Sequence, residues 1–318
     1  MQRMVRVFVV VMGMSILLVA CGGAPAASDA PADTASTTSS SGTGVIVLGD
    51  IDNQPTDQIE TWQPIADYLA ENMNDLGIST GTVKIAPDLE TMGAWLESGE
   101  VDLTFESVYP AMIQITRFGS EPILRQWKGG DAEYASLIFA SADSDLNTIE
   151  DLEGHTLAFE QASSTTAYFL PMTAVIETGL KPVELAEPGA PVAPGEVGYV
   201  FSGSDANTIQ WVISGKVDAG GTSNQDFRDI PAETREQLTV IHETRMVPRQ
   251  LVLARKGLPE PVRTRVIELL SNLETQAEGP QMMETFEKTA RFDALPEDVE
   301  TELARIQKLY EETLVQVE

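Results

Sequence analysis

The feature of this sequence that most restricts its fold is a nine-residue segment that occurs twice. Trp95–Leu103 reads WLESGEVDL and Trp211–Ala219 reads WVISGKVDA, so Trp, Ser, Gly, Val and Asp stand at matching places. In each copy a helical pattern ends at the glycine, a β-rich run begins, and a polar loop follows. A connection of this type is common in α/β proteins, so the match alone is compatible with coincidence. We interpret the copies as the same element of two related α/β lobes.

Short β-rich runs alternate with helical patterns over most of the chain. The expected strands include Val45–Leu48, Val83–Ala86, Val101–Phe105, Thr156–Phe159, Tyr199–Phe201 and Val217–Ala219. Strands separated by helices of this length indicate βα units and mainly parallel sheets. Ligands of open α/β sheets bind beyond the carboxyl ends of the strands. The loops 106–109 and 220–225 are therefore expected to face each other across one cleft.

The beginning of the chain reads as a targeting segment. Arg3 and Arg6 precede the apolar run Val7–Val19, which suits a signal peptide better than a membrane span of ~20 residues. The run leads into Leu-Val-Ala-Cys-Gly, which resembles a bacterial lipobox with Cys21 as the lipidated residue. A core cysteine is the alternative, but it would not be expected where an apolar segment meets a polar tract.

The residues after Cys21 carry no apolar side chain large enough to build a core. Residues 22–44 contain only Gly, Ala, Pro, Ser, Thr and two Asp, so burial cannot offset the entropy of ordering them. We expect a signal peptide over 1–20 and a lipidated cysteine with a disordered tether over 21–44. The folded body would then be held at an outer membrane face, outside the cytoplasm.

The charge of the chain excludes several classes of function. There are 20 Lys and Arg against 49 Asp and Glu, a formal net charge of −29. Nucleic-acid binding needs stripes of Lys and Arg, and none is present. One cysteine and two histidines do not support a disulfide framework or a Cys/His metal site, and no cofactor is expected. Because the bulk charge repels anions, any anion site must depend on short contacts.

The segment Ala158–Tyr168, AFEQASSTTAY, carries the strongest local signal for a binding site. A β-rich run leads into four consecutive hydroxyl residues at a helix start, Ser163, Ser164, Thr165 and Thr166. Unpaired N–H groups, hydroxyls and the positive end of the helix dipole form an anion site without Lys or Arg. An ordinary N-cap explains one Ser or Thr but not four. Composition alone leaves both interpretations open.

Two further polar segments follow expected strands. In Ser202–Asn207 either Ser204 or Asp205 is expected to cap a helix. In Phe105–Pro110, Tyr109 either donates its hydroxyl into the cleft or packs its ring against apolar neighbours. Ser107 stands two residues before it.

No enzyme motif supports a catalytic function. The sequence has no Gly-x-Ser-x-Gly elbow, no P-loop and no Gly-x-Gly-x-x-Gly. His155 and His242 are expected to be structural or solvated. We therefore expect a protein that is not an enzyme.

These segments resemble the phosphonate-, phosphite- and phosphate-binding proteins of bacterial ABC importers. The matching segments are Asp102–Pro110, Glu150–Glu160, Ser163–Pro171, Ser202–Thr208 and Gly215–Ala219, in an overall likeness from Val45 to Leu314. The resemblance implies an α/β, two-lobe type II periplasmic-binding-protein fold, with a mainly parallel sheet flanked by helices in each lobe and a ligand cleft between them. It also implies an extracytoplasmic, lipid-anchored solute-binding protein that delivers a small oxyanion to an ABC permease and ATPase.

The resemblance also implies roles for particular residues. In the family the hydroxyl run holds the oxyanion, which carries over to Ser163 through Thr166, and a cleft tyrosine carries over to Tyr109. Ser204 stands near the place where some relatives have a histidine. Aminophosphonate binders have an acidic residue after a step like Val247-Pro248, where this chain has Arg249 and Gln250, which argues against an ammonium-bearing ligand. Arg249 either adds positive charge to the cleft or faces solvent at the hinge.

The expected domain division follows from these assignments. Lobe 1 comprises 45–142 plus 246–318 and lobe 2 comprises 143–245, and the hinge is expected near Ser136–Ala140 and Val247–Leu253. The protein is expected to be a monomer. The alternatives are a binder of the same fold for a sulfonate or a thiamine precursor, a partner of a sensor protein, and a lipid-anchored enzyme.

Overall fold

The computed structural model describes residues 44–51, 55–297 and 299–317. The expected signal peptide, the lipidated Cys21 and the tether lie outside these residues. The strands are β1 Gly44–Ile51, β2 Ile78–Ala86, β3 Leu103–Glu106, β4 Glu121–Gln126, β5 Glu133–Tyr134, β6 Ser136–Ser141, β7 Thr156–Phe159, β8 Lys181–Glu184, β9 Glu196–Phe201, β10 Ala219–Ser223, β11 Leu238–Glu243, β12 Val247–Pro248, β13 Gln250–Ala254 and β14 Phe292–Asp293. The α-helices are α1 Pro55–Glu71, α2 Leu89–Ser98, α3 Val108–Phe118, α4 Leu170–Glu177, α5 Asp205–Ile213, α6 Asn224–Asp229, α7 Ala232–Arg235, α8 Glu260–Ser271, α9 Gly279–Thr285 and α10 Val299–Val317.

The strands form two six-stranded sheets of matching design. The first has the order β14-β4-β13-β3-β1-β2 and the second the order β11-β6-β10-β7-β9-β8. In the first, β1 is parallel to β2 and β3, and β13 runs antiparallel between β3 and β4. In the second, β7 is parallel to β9 and β10, and β6 runs antiparallel between β10 and β11. The expectation of two mainly parallel sheets is confirmed.

The chain crosses between the sheets at a short ribbon made by β5 and β12. Tyr134 pairs with Val247 and Glu133 with Pro248 in this antiparallel ribbon. The first crossing therefore comes before Ser136, whereas the sequence placed residues up to 142 in lobe 1. β6 belongs to the second sheet because its backbone is hydrogen-bonded on both sides, to β10 and to β11.

The two copies of the repeated segment form the same connection in the two sheets. The backbone N–H of Asp102 donates to the carbonyl of Val47 (2.9 Å), and the Asp102 carboxylate accepts from the Val47 N–H (3.0 Å). Asp218 makes the same pair of hydrogen bonds with Thr156, at 2.9 and 2.8 Å. In both copies a carboxylate, and not a backbone carbonyl, accepts the N–H of the neighbouring strand, so β3 and β10 begin one residue after the aspartate, later than the sequence indicated.

The apolar core continues from one lobe to the other beside the cleft. One cluster of buried side chains includes Val108 and Met112 of α3, Phe169 of the second lobe, and Ile306 and Tyr310 of α10. The lobes are thus joined by apolar packing as well as by the two chain crossings. Among the described residues no helix is both long enough and apolar enough to span a membrane.

Candidate functional site

A cleft of about 830 Å³ lies between the two sheets and is lined by residues at the ends of their strands. Asp50 and Glu106 line it from the carboxyl ends of β1 and β3, and Glu160 lines it directly after β7. The position agrees with the rule that open α/β sheets bind ligands beyond the carboxyl ends of their strands. The expected loop 106–109 contributes to one wall. The expectation for 220–225 is wrong, because these residues belong to β10 and the start of α6 and do not line the cleft; Asp226, the next residue, does.

All four residues of the hydroxyl run line this cleft, and two of their hydroxyls are used within the protein. A π-helical turn, Thr165–Phe169, runs directly into α4, and Ser164 is its N-cap, with Oγ accepting from the Ala167 N–H at 3.1 Å. Thr165 Oγ1 donates to Ser107 Oγ at 2.8 Å and accepts from the Tyr109 N–H at 3.0 Å. Thr165 therefore holds the lobes together across the cleft.

The other two hydroxyls of the run have no hydrogen-bond partner among the described residues. Ser163 is exposed, and Thr166 is 6% exposed with its side chain lining the cleft. The N–H groups of Thr165 and Thr166 lie in the first turn of the helix, where no helical acceptor exists. These donors and the positive end of the helix dipole together form an arrangement that accommodates an anion.

The remaining residues singled out in the sequence occupy different places. The Tyr109 ring lines the cleft and stacks on Phe169 of the second lobe, with centroids 4.5 Å apart and planes at 6°, and burial raises the pKa of its hydroxyl. Arg249 lines the cleft with its guanidinium 4.4 Å from the Tyr134 ring centroid, and its Nε donates to Gln225 Oε1 at 2.6 Å. Ser204 is outside the lining, and its hydroxyl caps α5.

Carboxyl groups are the part of the cleft that the sequence reasoning missed. The acidic residues of the lining are Asp50, Asp88, Glu90, Glu106, Glu160, Asp205, Asp226 and Glu287, against Lys128 and Arg249 as the basic ones. Lys128 Nζ lies 2.5 Å from Glu287 Oε1, so this cation is already paired. Three of them, Asp50, Glu106 and Glu160, lie at or directly after the carboxyl end of a strand, which is a position that the sequence could have indicated.

Burial changes the ionisation of several of these carboxyls. Desolvation, with repulsion from Asp50, raises the pKa of Glu106 to about 8. Desolvation and repulsion from Asp205 raise the pKa of Glu160 to about 7. Burial also raises the pKa of Asp205 itself. The cleft therefore carries less negative charge at neutral pH than its composition indicates.

Comparison with known proteins places this arrangement in a family. Residues 51–298 match the family model described as "ABC transporter, phosphonate, periplasmic substrate-binding protein". The chain is 30% identical to XAC2383 from Xanthomonas citri bound to chloride ion, with a TM-score of 0.81 over 86% of this chain and 99% of that one. A structure of XAC2383 bound to ATP matches at 29% identity and the same TM-score and coverage.

More distant structures agree on the fold alone. PhnD1 from Prochlorococcus marinus in complex with methylphosphonate is 17% identical, with a TM-score of 0.60 over 84% of this chain and 98% of that one. The alkanesulfonate-binding protein SsuA from Xanthomonas axonopodis is 14% identical, with a TM-score of 0.52 over 88% and 96%. The expected type II periplasmic-binding-protein fold is confirmed.

Proteins of this family bind a small solute outside the cytoplasm and work with an ABC permease and ATPase; they are not enzymes. The matched residues span both chain crossings and, apart from Asp50, every residue that lines the cleft. The chain belongs to the periplasmic substrate-binding proteins of phosphonate ABC transporters.

Proposed function

We propose that this protein binds a small phosphorus oxyanion, such as a phosphonate, phosphite or phosphate, at the hydroxyl run and delivers it to an ABC importer. The observation that carries the proposal is a set of donors at one helix start that have no partner in the described part of the chain, the hydroxyls of Ser163 and Thr166 with the first-turn N–H groups. They face a cleft between two lobes, in a strongly acidic protein where short contacts alone can hold an anion.

The rest of the cleft favours a solute whose other end is neutral or cationic. Glu160, Asp205 and Asp226 line the wall beside the hydroxyl run. Arg249, which in the sequence argued against an ammonium group, is engaged by Gln225 and Tyr134. An ammonium group near the three carboxyls would be stabilised, whereas a second anionic group would be repelled.

Calorimetric titration tests the oxyanion site. The panel is phosphate, phosphite, methylphosphonate, 2-aminoethylphosphonate, methanesulfonate and ATP, the last because the similar structure of XAC2383 is one bound to ATP. A hydrogen bond to a charged ligand contributes roughly 1.5–3 kcal/mol, so Ser163→Ala and Thr166→Val should each weaken binding of the preferred oxyanion at least ~tenfold.

Thr173→Val is the matched control, because Thr173 is buried on α4 and its hydroxyl donates to the Leu170 carbonyl, away from the cleft. This variant should bind like the wild type. Wild-type affinity in both Ser163→Ala and Thr166→Val would place the site elsewhere in the cleft. Binding of methanesulfonate alone would favour a sulfonate binder of the same fold.

We also propose that Cys21 carries lipid and anchors the protein to the outer face of a membrane. The support is the lipobox pattern in the sequence. Cys21→Ser should release the protein from membranes, and labelled fatty acid should no longer be incorporated. Equal incorporation by wild type and Cys21→Ser would exclude this anchor.

Closure of the two lobes around the solute is the third part of the proposal. The two lobes are joined by the β5–β12 ribbon, at which a hinge would bend. We expect a monomer whose radius of gyration decreases when methylphosphonate, or whichever panel solute binds, is added at saturation. An unchanged scattering profile at saturation would argue against closure.

A further inference from the structure

We propose that Glu106 is a specificity-determining residue of the cleft. Its carboxyl stays protonated, and the O–H on Oε2 donates a hydrogen bond to an oxygen of the bound oxyanion. This inference rests on the proposed oxyanion function and adds a donor from the opposite lobe. It assigns a role to a buried acidic group in a site that binds anions.

The neighbours of Glu106 fix which carboxyl oxygen is available. Glu106 ends β3, is 8% exposed and lines the cleft. Gln114 Nε2, on α3, donates to Glu106 Oε1 at 2.9 Å, and Thr104 Oγ1 donates to Gln114 Oε1 at 2.6 Å. Because Oε1 already accepts an N–H, a proton on this carboxyl belongs on Oε2, which has no partner in the part of the chain that is described.

The charges around Glu106 favour the protonated form. Asp50 on β1 and Glu287 after α9 face it, and both raise its pKa, while Lys128 lowers it. Lys128 is paired with Glu287, so it offsets little of the rise in pKa that burial causes. With a pKa of about 8, the carboxyl is neutral at neutral pH and adds a hydrogen-bond donor without adding a negative charge.

The position of Glu106 relative to the hydroxyl run completes the argument. Ser107, the next residue, accepts the hydroxyl of Thr165 at 2.8 Å, so the end of β3 lies against the run. An oxyanion held by Ser163 and Thr166 of one lobe would meet Glu106 on the other wall of the cleft. The proton would thus allow an acidic wall to bind an anion, and its loss would turn attraction into repulsion.

The test is the ratio of dissociation constants of wild type and Glu106→Gln for methylphosphonate from pH 6 to 9. The glutamine keeps an N–H donor and cannot ionise, and the ionisation of the ligand cancels in the ratio. We expect a ratio near one at pH 6. Since about a tenth of the Glu106 carboxyls would remain protonated at pH 9, we expect binding to wild type to be about tenfold weaker than to Glu106→Gln there.

Glu106→Leu removes the donor and should bind methylphosphonate at least ~tenfold more weakly at pH 6. Glu97→Gln is the control for net charge, because Glu97 is exposed on α2 outside the cleft, and it should follow the wild-type pH profile. A measurement without variants is the NMR titration of wild type labelled with carboxyl-¹³C glutamate. A Glu106 carboxyl still protonated at pH 7.5 with methylphosphonate bound supports the inference, and one ionised at pH 6 overturns it.

The two proposals fail in different ways. If methylphosphonate, phosphite and phosphate all fail to bind the wild type at pH 6, the proposed function is wrong and the inference falls with it. If they bind and the ratio stays constant with pH, only the role of Glu106 is wrong.

Discussion

The two copies of the repeated segment build the same connection in different surroundings. Asp102 of the first lobe is buried and its carboxylate pairs with Arg255 Nε at 2.8 Å. Asp218 of the second lobe has a side chain that is 45% exposed and lies 3.3 Å from His155 Nδ1. Both nevertheless make the same two hydrogen bonds to the neighbouring strand. These two hydrogen bonds are therefore the shared part, and the contacts of the aspartates with Arg255 and His155 are particular to each lobe.

The copies differ most where their strands reach the cleft. Counting from the two aspartates, Glu106 at the end of β3 corresponds to Thr222 on β10, whose hydroxyl donates to Asp205 Oδ1 at 2.8 Å. The following serines, Ser107 and Ser223, each precede a helix. The same architecture thus presents a carboxyl to the cleft in the first lobe, whereas in the second the equivalent hydroxyl is buried and holds Asp205, which lines the cleft. The shared residues hold the fold, and the residues just after them determine the chemistry of the cleft.

The largest expected difference between the copies is the loss of stability when the aspartate is replaced by alanine. Asp102→Ala leaves the Val47 N–H and the Arg255 guanidinium without their partner in a mostly buried place, and should lower the free energy of unfolding by about 3 kcal/mol. Asp218→Ala leaves groups that water reaches, and should cost about 1 kcal/mol. Urea unfolding of both variants measures the difference. Equal losses would mean that the ion pair of Asp102 adds nothing to the shared hydrogen bonds.

A second difference between the copies arises because Glu106 can ionise and its counterpart Thr222 cannot, so Glu106 should make the stability depend on pH. Glu106 binds its proton more tightly in the folded state, with a pKa of about 8 against the usual 4.5. The free energy of unfolding therefore falls as the pH rises from about 4.5 to about 8 and is constant above. Glu106→Gln lacks this decrease, so its stability relative to wild type should rise steadily over that pH range.

Glu160→Gln provides the comparison from the other wall of the cleft. Glu160 is only partly buried and its pKa is about 7. The gain in stability of Glu160→Gln over wild type should therefore be smaller than that of Glu106→Gln, and it should be complete by about pH 7. Thermal unfolding from pH 5 to 9 separates the two windows. Identical profiles for Glu106→Gln and Glu160→Gln would show that the two carboxyls have the same environment.

The fold could be predicted from the sequence because its signals are local. Apolar periodicity, glycine-terminated helices and the repeated segment each lie within a few neighbouring residues, and together they identify parallel sheets in two lobes. The crossing between the lobes was placed too late because Ser136–Ser141 reads simply as a buried strand. Its membership of the second sheet depends on β10 and β11, which lie far along the chain.

The candidate site could be predicted only in part: residues singled out in the sequence line the cleft from both lobes, but its carboxyl groups were missed. The hydroxyl run of lobe 2 is contiguous, so composition and helix-start chemistry find it. The wall of lobe 1 is assembled from distant segments: Gln114 orients Glu106, and Glu287 pairs with Lys128 across 159 residues of chain. No local pattern predicts that such groups share one cleft, and the raised pKa of Glu106 follows from burial, which a sequence does not display.

The smallest expected difference concerns the two serines that follow the repeated segments. Ser223 Oγ accepts from the Asp226 N–H at 2.9 Å and caps α6, so Ser223→Ala should cost about 1 kcal/mol. Ser107 makes no such cap bond, and its Oγ instead accepts the Thr165 hydroxyl of the other lobe. Ser107→Ala should therefore cost about 0.5 kcal/mol, and it should release the Thr165 hydroxyl and change the affinity for the oxyanion instead. Urea unfolding and calorimetric titration of both variants test this division. A loss of stability in Ser107→Ala as large as in Ser223→Ala, with unchanged affinity, would show that both serines serve the helix and neither serves the cleft.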